Sequence, residues 1–113
     1  MTAENQNFEM YQGETKHLYI KVVDGDGNLI NLTSGVVVKW GVKKAHYADR
    51  FLISKETGGG IEIRNGVAIV EIEPDDTEGL IGEYQHEARL IDEFENVSTI
   101  LTGVVVVKGS VFT

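Results

Sequence analysis

The chain has 113 residues, of which 42% are hydrophobic and 25% charged, and its formal net charge is −8. This length suits one domain with its own core, the lack of cysteine excludes disulfides and thiolate metal sites, and the acidic balance argues against binding to a phosphate backbone. There is no apolar run long enough to span a membrane and no basic, apolar leader. We therefore expect a single domain over residues 1–113, with residues 1–7 loose and with no nucleic-acid or membrane partner.

The first half of the chain is predicted to be strands separated by glycine-rich turns. Phe8–Tyr11 favours a short strand, and residues 15–23 alternate between apolar and polar side chains, as a half-buried strand does. Residues 24–28 (DGDGN) favour a turn, because glycine and asparagine tolerate a positive φ. Further strands are expected at 29–33 and 36–43, with a turn at 34–35. The core positions predicted in this half are Leu18, Ile20, Val22, Val38 and Trp40.

The second half continues the same pattern. A strand is expected at 50–54, a flexible connection at 57–60, and a hairpin whose turn is Asn65-Gly66, a strong signal for a two-residue hairpin loop. Two long strands follow, the last of them at 97–108, where Gly103 is predicted to mark a β-bulge. The core positions predicted in this half are Val70, Ile72, Ala88 and Leu90.

A corner motif precedes the first of these long strands. Pro74 cannot donate to a strand ladder and so ends its strand, and Asp75 or Asp76 is expected to cap a short helical turn. The structural corner Leu80, Gly82 and Tyr84 follows in an L-x-G-x-Y pattern. In β-sandwiches a tyrosine at this place turns its hydroxyl back onto the preceding backbone.

These elements amount to about eight strands, with turns every eight to twelve residues and no long helix. Such spacing favours a sandwich over a helix-containing fold. The predicted fold class is therefore all-β, an immunoglobulin-like antiparallel β-sandwich.

Charge is unevenly distributed along the chain. Residues 71–95 carry ten acidic side chains against one arginine, whereas lysines gather near residues 39–44. This distribution has two interpretations: a solvated sheet surface, or two opposite faces of a subunit contact, one basic and one acidic. The candidate interaction residues are Lys39, Lys43 and Lys44 on the basic face and Glu71, Glu73, Glu83 and Glu87 on the acidic one.

No motif in the sequence indicates a catalytic, cofactor or metal site. Residues 24–28 begin like a calcium loop, but Leu29 and Gly35 occupy the places where that loop needs glycine and an acidic residue. His17 and His86 lie on strands that could be neighbours, yet zinc needs three or four converging ligands. The acidic pairs Glu71–Glu73 and Asp75–Asp76 lie along an exposed strand or turn, whereas a glycosidase needs two carboxylates across a cleft. We therefore expect no enzyme activity, with a small hydrolase as the least favoured alternative.

Two stretches together resemble a known family. The first runs from Gly13-Glu14-Thr15 through an alternating strand, DGDGNLINLTSG, and into a further strand; the second contains D-T-x-x-L-x-G-x-Y between residues 76 and 84. This arrangement, over roughly residues 10–107, is similar to the immunoglobulin-like domains of tailed-phage structural proteins. The likeness is greatest to the amino-terminal domain of siphophage baseplate upper proteins and related tail or head-fibre modules.

The resemblance implies a non-enzymatic virion structural or assembly module. It implies contacts with other virion proteins, homo-oligomerisation in the assembly, and location in a virion assembled in the bacterial host cytoplasm. The alternative is a carbohydrate- or cell-surface-binding module on the same fold, with Tyr19, Tyr47 or Trp40 as the contact residues. Tyr11, Tyr19, Tyr47 and Phe51 are also candidates for an aromatic patch that contacts sugar or protein, although simple packing is the favoured interpretation of scattered aromatic residues on a sandwich.

Overall fold

The computed structural model describes residues 4–33, 35–45 and 48–111, where the regular structure is β-strand apart from one 3₁₀ helix, Pro74–Thr77. In chain order the strands are β1 Glu4–Asn5, β2 Phe8–Tyr11, β3 Lys16–Ile20, β4 Val22–Val23, β5 Leu29–Ile30, β6 Val37–Lys43, β7 Ile53–Thr57, β8 Gly60–Arg64, β9 Val67–Ile72, β10 Gly82–Ile91 and β11 Val97–Lys108. No helix within these ranges is long and apolar enough to cross a membrane.

The strands form two layers. Hydrogen bonds join them in the order β1-β11-β10-β6-β7-β8-β9-β3, with β2 also on β11 and with β4 and β5 as a separate pair. Strands β8, β9 and β3 make one layer and β7, β6, β10 and β11 the other, and a short pairing between β7 and β8 links the two layers. Each layer buries alternate side chains, and these form one hydrophobic cluster, as stacked sheets require. The predicted all-β sandwich is confirmed.

The strand order is that of an immunoglobulin-like sandwich. The pairings β3–β9–β8 and β6–β10–β11 correspond to the B–E–D and C–F–G strands of such domains. The first strands depart from the constant-type arrangement, because residues 4–11, here called the N-terminal arm, run parallel to β11 rather than beside β3. The β7–β8 pairing is also parallel, so the sandwich is only partly antiparallel.

The predicted core is confirmed. Alternation on β3, β4, β6, β9 and β10 turns one face of each strand inward, and each predicted core side chain is at most 4% exposed. These residues are Leu18, Ile20, Val22, Val38, Trp40, Val70, Ile72, Ala88 and Leu90.

Both predicted tight turns form as their residues require. Asn65 and Gly66 have φ of 53° and 78°, the positive values that a type I′ hairpin turn needs. In the 24–28 turn the Asp24 carboxylate accepts hydrogen bonds from the backbone N–H groups of Asp26 and Asn28, at 2.9 and 3.0 Å. These bonds to the charged form lower the pKa of Asp24.

Several predicted boundaries are wrong. The strand expected at 15–23 divides at Lys21, because β4 pairs with β5 and not with β9. The strand expected at 50–54 begins only at Ile53 and continues to Thr57. The connection at 57–60 is a hydrogen-bonded turn in which Glu56 and Gly59 exchange two backbone bonds. The predicted turn at 34–35 lies partly outside the described residues.

The N-terminal arm and Gly103 also differ from expectation. Residues 4–7 follow β11 instead of being loose: β1 pairs with Leu101 and Thr102, and the Asn7 side chain accepts the N–H of Val104. Residues 1–3 lie outside the described part of the chain. β11 does contain an extra residue relative to β10, but it is Ile100, opposite Ala88 and Arg89, and not Gly103, which pairs regularly with His86.

Candidate functional site

The predicted tyrosine corner forms at the start of β10. The Tyr84 hydroxyl donates to the Ile81 carbonyl and accepts the Ile81 N–H, both at 3.0 Å. Gly82 has a φ of 113°, which favours glycine, and Leu80 packs against the core. Glu73, and not the expected Asp75 or Asp76, is the N-cap residue of the preceding 3₁₀ helix. The Asp76 carboxylate instead accepts the Glu73 N–H at 2.7 Å, as the third helical residue does in a capping box.

A buried polar connection lies two residues further along β10. His86 is 1% exposed; its Nδ1 accepts the indole N–H of Trp40 at 3.0 Å, and its Nε2 lies 2.6 Å from the Gln6 carbonyl. Since Nδ1 accepts, the proton sits on Nε2 and the ring is neutral. Burial lowers the pKa of His86, partly offset by the bond to Gln6. This chain of contacts fastens the N-terminal arm to β10 and β6.

Gly103 makes the contact with the arm feasible. A methyl group at this position would collide with the Gln6 carbonyl and crowd His86 Nε2. Gly103 therefore allows the backbone of the N-terminal arm to approach β11 closely. This role differs from the predicted bulge.

A surface depression of about 850 Å³ lies on the outer face of β7, β6 and β10. Across it Lys39 pairs with Arg89, and Gly41 pairs with Glu87. Gly41, in the middle of the depression, has no side chain, and the Phe51 ring packs directly over it. Any Cβ at residue 41 would collide with that ring. We call this depression the β6 groove; the residues used below are Lys39, Gly41, Lys43, Phe51, Glu87 and Arg89.

The β6 groove is net basic in an acidic protein. Four basic side chains (Lys39, Lys43, Lys55, Arg89) and two acidic ones (Glu56, Glu87) line it, a net charge of +2, whereas the chain is −8. Arg89 is paired with Glu87 at 3.0 Å and Lys55 with Asp76 at 2.8 Å. The Lys43 ammonium lies 4.6 Å from the centre of the Phe51 ring, and that ring is 55% exposed. The groove therefore offers positive charge beside an open aromatic surface.

The predicted separation of acidic and basic faces is wrong. Glu83 and Glu87 lie on β10, whose outer side shares a face with Lys39 and Lys43 of β6. Lys44 instead places its ammonium 4.9 Å from the ring centre of Tyr84. The remaining acidic candidates are exposed elsewhere: Glu71 lies on β9 and Glu73 at the corner.

The aromatic residues considered for sugar binding do not come together. Trp40 is 2% exposed, whereas Tyr19 is 57% exposed on β3, in the other layer. Tyr47 lies outside the described residues. Phe51 lies in the β6 groove with an exposed ring, while Tyr11 lies on the N-terminal arm. A glycine at an outward position of a central strand, here Gly41, was the sequence signal that something packs over it.

The histidines considered for zinc do not meet either. His17 is exposed on β3, His86 is buried on β10 in the other layer, and His46 lies outside the described residues. In the ranges described, no three His, Cys, Asp or Glu side chains form a group that could hold a metal ion.

Comparison with known proteins finds no matching protein-family model and no curated protein similar to this chain in sequence.

Proposed function

We propose that this domain is a structural or assembly module of a tailed-phage particle, in a tail, baseplate or head decoration. It acts through contacts with other virion proteins and carries out no catalysis. The resemblance in residues 10–107 supports the phage assignment. The immunoglobulin-like strand order agrees with the fold that the resemblance implies.

The β6 groove is the observation that carries the docking role. It combines cationic side chains with a half-exposed aromatic ring, and aromatic and arginine side chains are enriched in protein interfaces. Its floor is made by β6 and β10, each paired on both sides, so it is held rigid without a partner. Charge complementarity steers association, and the net charge of +2 favours a partner that presents carboxylates.

Incorporation into particles tests this proposal. Particles are purified from the bacterium that carries the gene, and the chain is quantified in them. We expect the wild-type chain at a fixed copy number per particle and the Lys39→Glu variant at least about tenfold less, since reversing a charge in a complementary contact costs several kcal/mol.

Arg64→Glu is the matched control. Arg64 lies on β8 in the other layer, is exposed, and pairs with Glu62 two residues away, so the same charge change is made away from the groove. We expect normal incorporation of this variant. A wild-type chain absent from particles would contradict the virion assignment, and equal loss in both variants would contradict the role of the β6 groove.

A further inference from the structure

Strand β3 has an unpaired edge along its whole length. It pairs with β9 from Lys16 to Ile20, and no other strand in the described part of the chain runs beside it. Within the described residues, the backbone of β3 makes no hydrogen bond outside that pairing. Such an edge presents N–H and C=O groups that can recruit another strand.

The other edges are shorter or interrupted. β7 and β8 bridge one another at Glu56–Gly60 and Thr57–Ile61, which leaves only three unbridged residues on each. The edge of the N-terminal arm is interrupted between β1 and β2, where the Asn7 side chain replaces a backbone acceptor for the Val104 N–H. β3 carries neither proline nor bulge, two of the devices that protect an edge, and its one protecting charge, Lys16, lies at its first residue.

We propose that β3 pairs with β3 of a second copy of this chain, antiparallel about a two-fold axis at Leu18. Full overlap of the five residues places Leu18 opposite Leu18, His17 opposite Tyr19 and Lys16 opposite Ile20. The two layers that contain β3 then form one continuous sheet across the dimer. This contact goes beyond the proposed function, because it names a self-contact on the layer that does not carry the β6 groove.

The residues of β3 favour this register over its neighbours. Only alternate residues direct their backbone groups to the free edge, so pairing must match odd with odd and even with even positions. A shift that opposes His17 with its own copy, or Tyr19 with its own copy, leaves only three β3 residues of each strand paired. The centred register also opposes no two like charges, which are destabilising in directly opposite pairs.

The side chains available on the outer face suit the contact. His17 is exposed and Tyr19 is 57% exposed, so their pairing across the two-fold requires no change in the core. Aromatic cross-strand pairs stabilise neighbouring strands. A five-residue edge is small compared with the interface of a stable dimer, so the pairing is weak in dilute solution and strengthens when copies are held together in an assembly.

Disulfide trapping tests the register directly, because the natural chain has no cysteine. The double variant His17→Cys/Tyr19→Cys places each new thiol opposite its partner in the second copy, at a spacing that a disulfide spans. Residues 17 and 19 of one strand are about 6.8 Å apart, at the upper end of the Cα–Cα distances that disulfides span, so an internal bond is disfavoured. In a glutathione redox buffer we expect the double variant to form a covalent dimer and either single variant to remain mainly monomeric.

Gln85→Cys/Glu87→Cys is the matched control. These two outward positions have the same spacing on β10, which is paired on both sides and cannot accept another strand. We expect no dimer from it. Far-UV circular dichroism verifies the fold of each variant. As a second measurement, sedimentation velocity at rising concentration should show association of the wild-type chain that Tyr19→Lys abolishes.

The proposal would be overturned if the double, single and β10 variants cross-linked equally. It would also be overturned if the double variant formed no covalent dimer. A negative trapping result with normal incorporation into particles removes the β3 contact and leaves the proposed function standing. A covalent dimer of the double variant, together with absence of the wild-type chain from particles, would support the β3 contact and contradict the proposed function.

Discussion

Tyr84 and His86 lie two residues apart on the inner side of β10, yet they stabilise different parts of the molecule. Both are buried and both are hydrogen-bonded. Tyr84 bonds to Ile81, three residues away, whereas His86 joins Trp40, 46 residues away, to Gln6, 80 residues away. Tyr84 thus closes a local corner, and His86 connects three strands that are remote in sequence.

This difference determines what each contact does. The tyrosine corner fixes how the chain enters β10 and depends little on the rest of the sandwich. The His86 connection exists only when β6, β10 and the N-terminal arm are all in place, so its loss should lower the stability of the whole fold. The predictions below test that contrast.

The largest effect is expected from His86→Ala. It leaves the Trp40 indole N–H and the Gln6 carbonyl unpaired and opens a cavity, at a cost of about 3 kcal/mol of unfolding free energy. Denaturant unfolding measures the loss, and Trp40 is the only tryptophan, so its fluorescence reports on the site. His86→Gln supplies one acceptor and one donor and should recover part of the stability. A cost as small as that of a surface substitution would contradict the connecting role.

Gly103→Ala is expected to have the next largest effect. The added methyl group collides with the Gln6 carbonyl, and overpacking of this kind costs about 2 kcal/mol. Because the arm is displaced, amide hydrogen exchange should increase at residues 4–7 and change little at the Asn65-Gly66 hairpin. Gly25→Ala, at a position with open space around it, is the control. Unchanged exchange in the arm would show that Gly103 does not hold it.

Tyr84→Phe should have a smaller and more local effect. It removes the two bonds to Ile81 and keeps the ring, for a loss of about 1 kcal/mol. The Trp40 fluorescence of the folded protein should not change, in contrast to His86→Ala. A loss equal to that of His86→Ala would remove the distinction between the two contacts.

The pH dependence of stability sharpens the same comparison. The pKa of His86 is lowered from its ordinary value of 6.5, so as pH falls the unfolded chain takes up a proton first and unfolding is favoured. The contribution of His86 to the free energy of unfolding is complete above pH 6.5. It decreases as the pH falls from 6.5 to the pKa of His86 in the folded protein, and below that pKa it no longer changes. Denaturant unfolding between about pH 5 and about pH 8 measures this.

His86→Gln is the control for that measurement and should show a flatter profile in the same window. Tyr84→Phe should keep the slope of the wild-type chain, because it leaves His86 and its two hydrogen-bond partners in place. A wild-type profile without a slope below pH 6.5 would contradict a neutral, buried His86.

The sequence allowed prediction of features that depend on neighbouring residues. Alternation placed all nine predicted core residues correctly, Asn65-Gly66 identified its hairpin, and the L-x-G-x-Y pattern identified the Tyr84 corner. Prediction from the sequence failed where a strand remote in the chain decided the structure. Strand pairing placed the Thr15–Val23 stretch on two different partners, and the approach of Gln6 gave Gly103 its role.

The candidate site was predicted only in part. Lys39 and Lys43 were singled out and do line the β6 groove, but Glu83 and Glu87 were expected on an opposite face and lie on the adjacent strand. The place of Phe51 over Gly41 was not predicted, because a loop residue is positioned by packing and not by periodicity.

By itself the sequence determined the strand periodicity, the tight turns and the inward-facing residues, since these follow from backbone preferences and from burial of every second side chain. Only the tertiary structure decided which strands are neighbours, and with them the β6 groove, the His86 connection and the open edge of β3. Those features join residues far apart in the chain, and their contacts form only after the two layers have packed together.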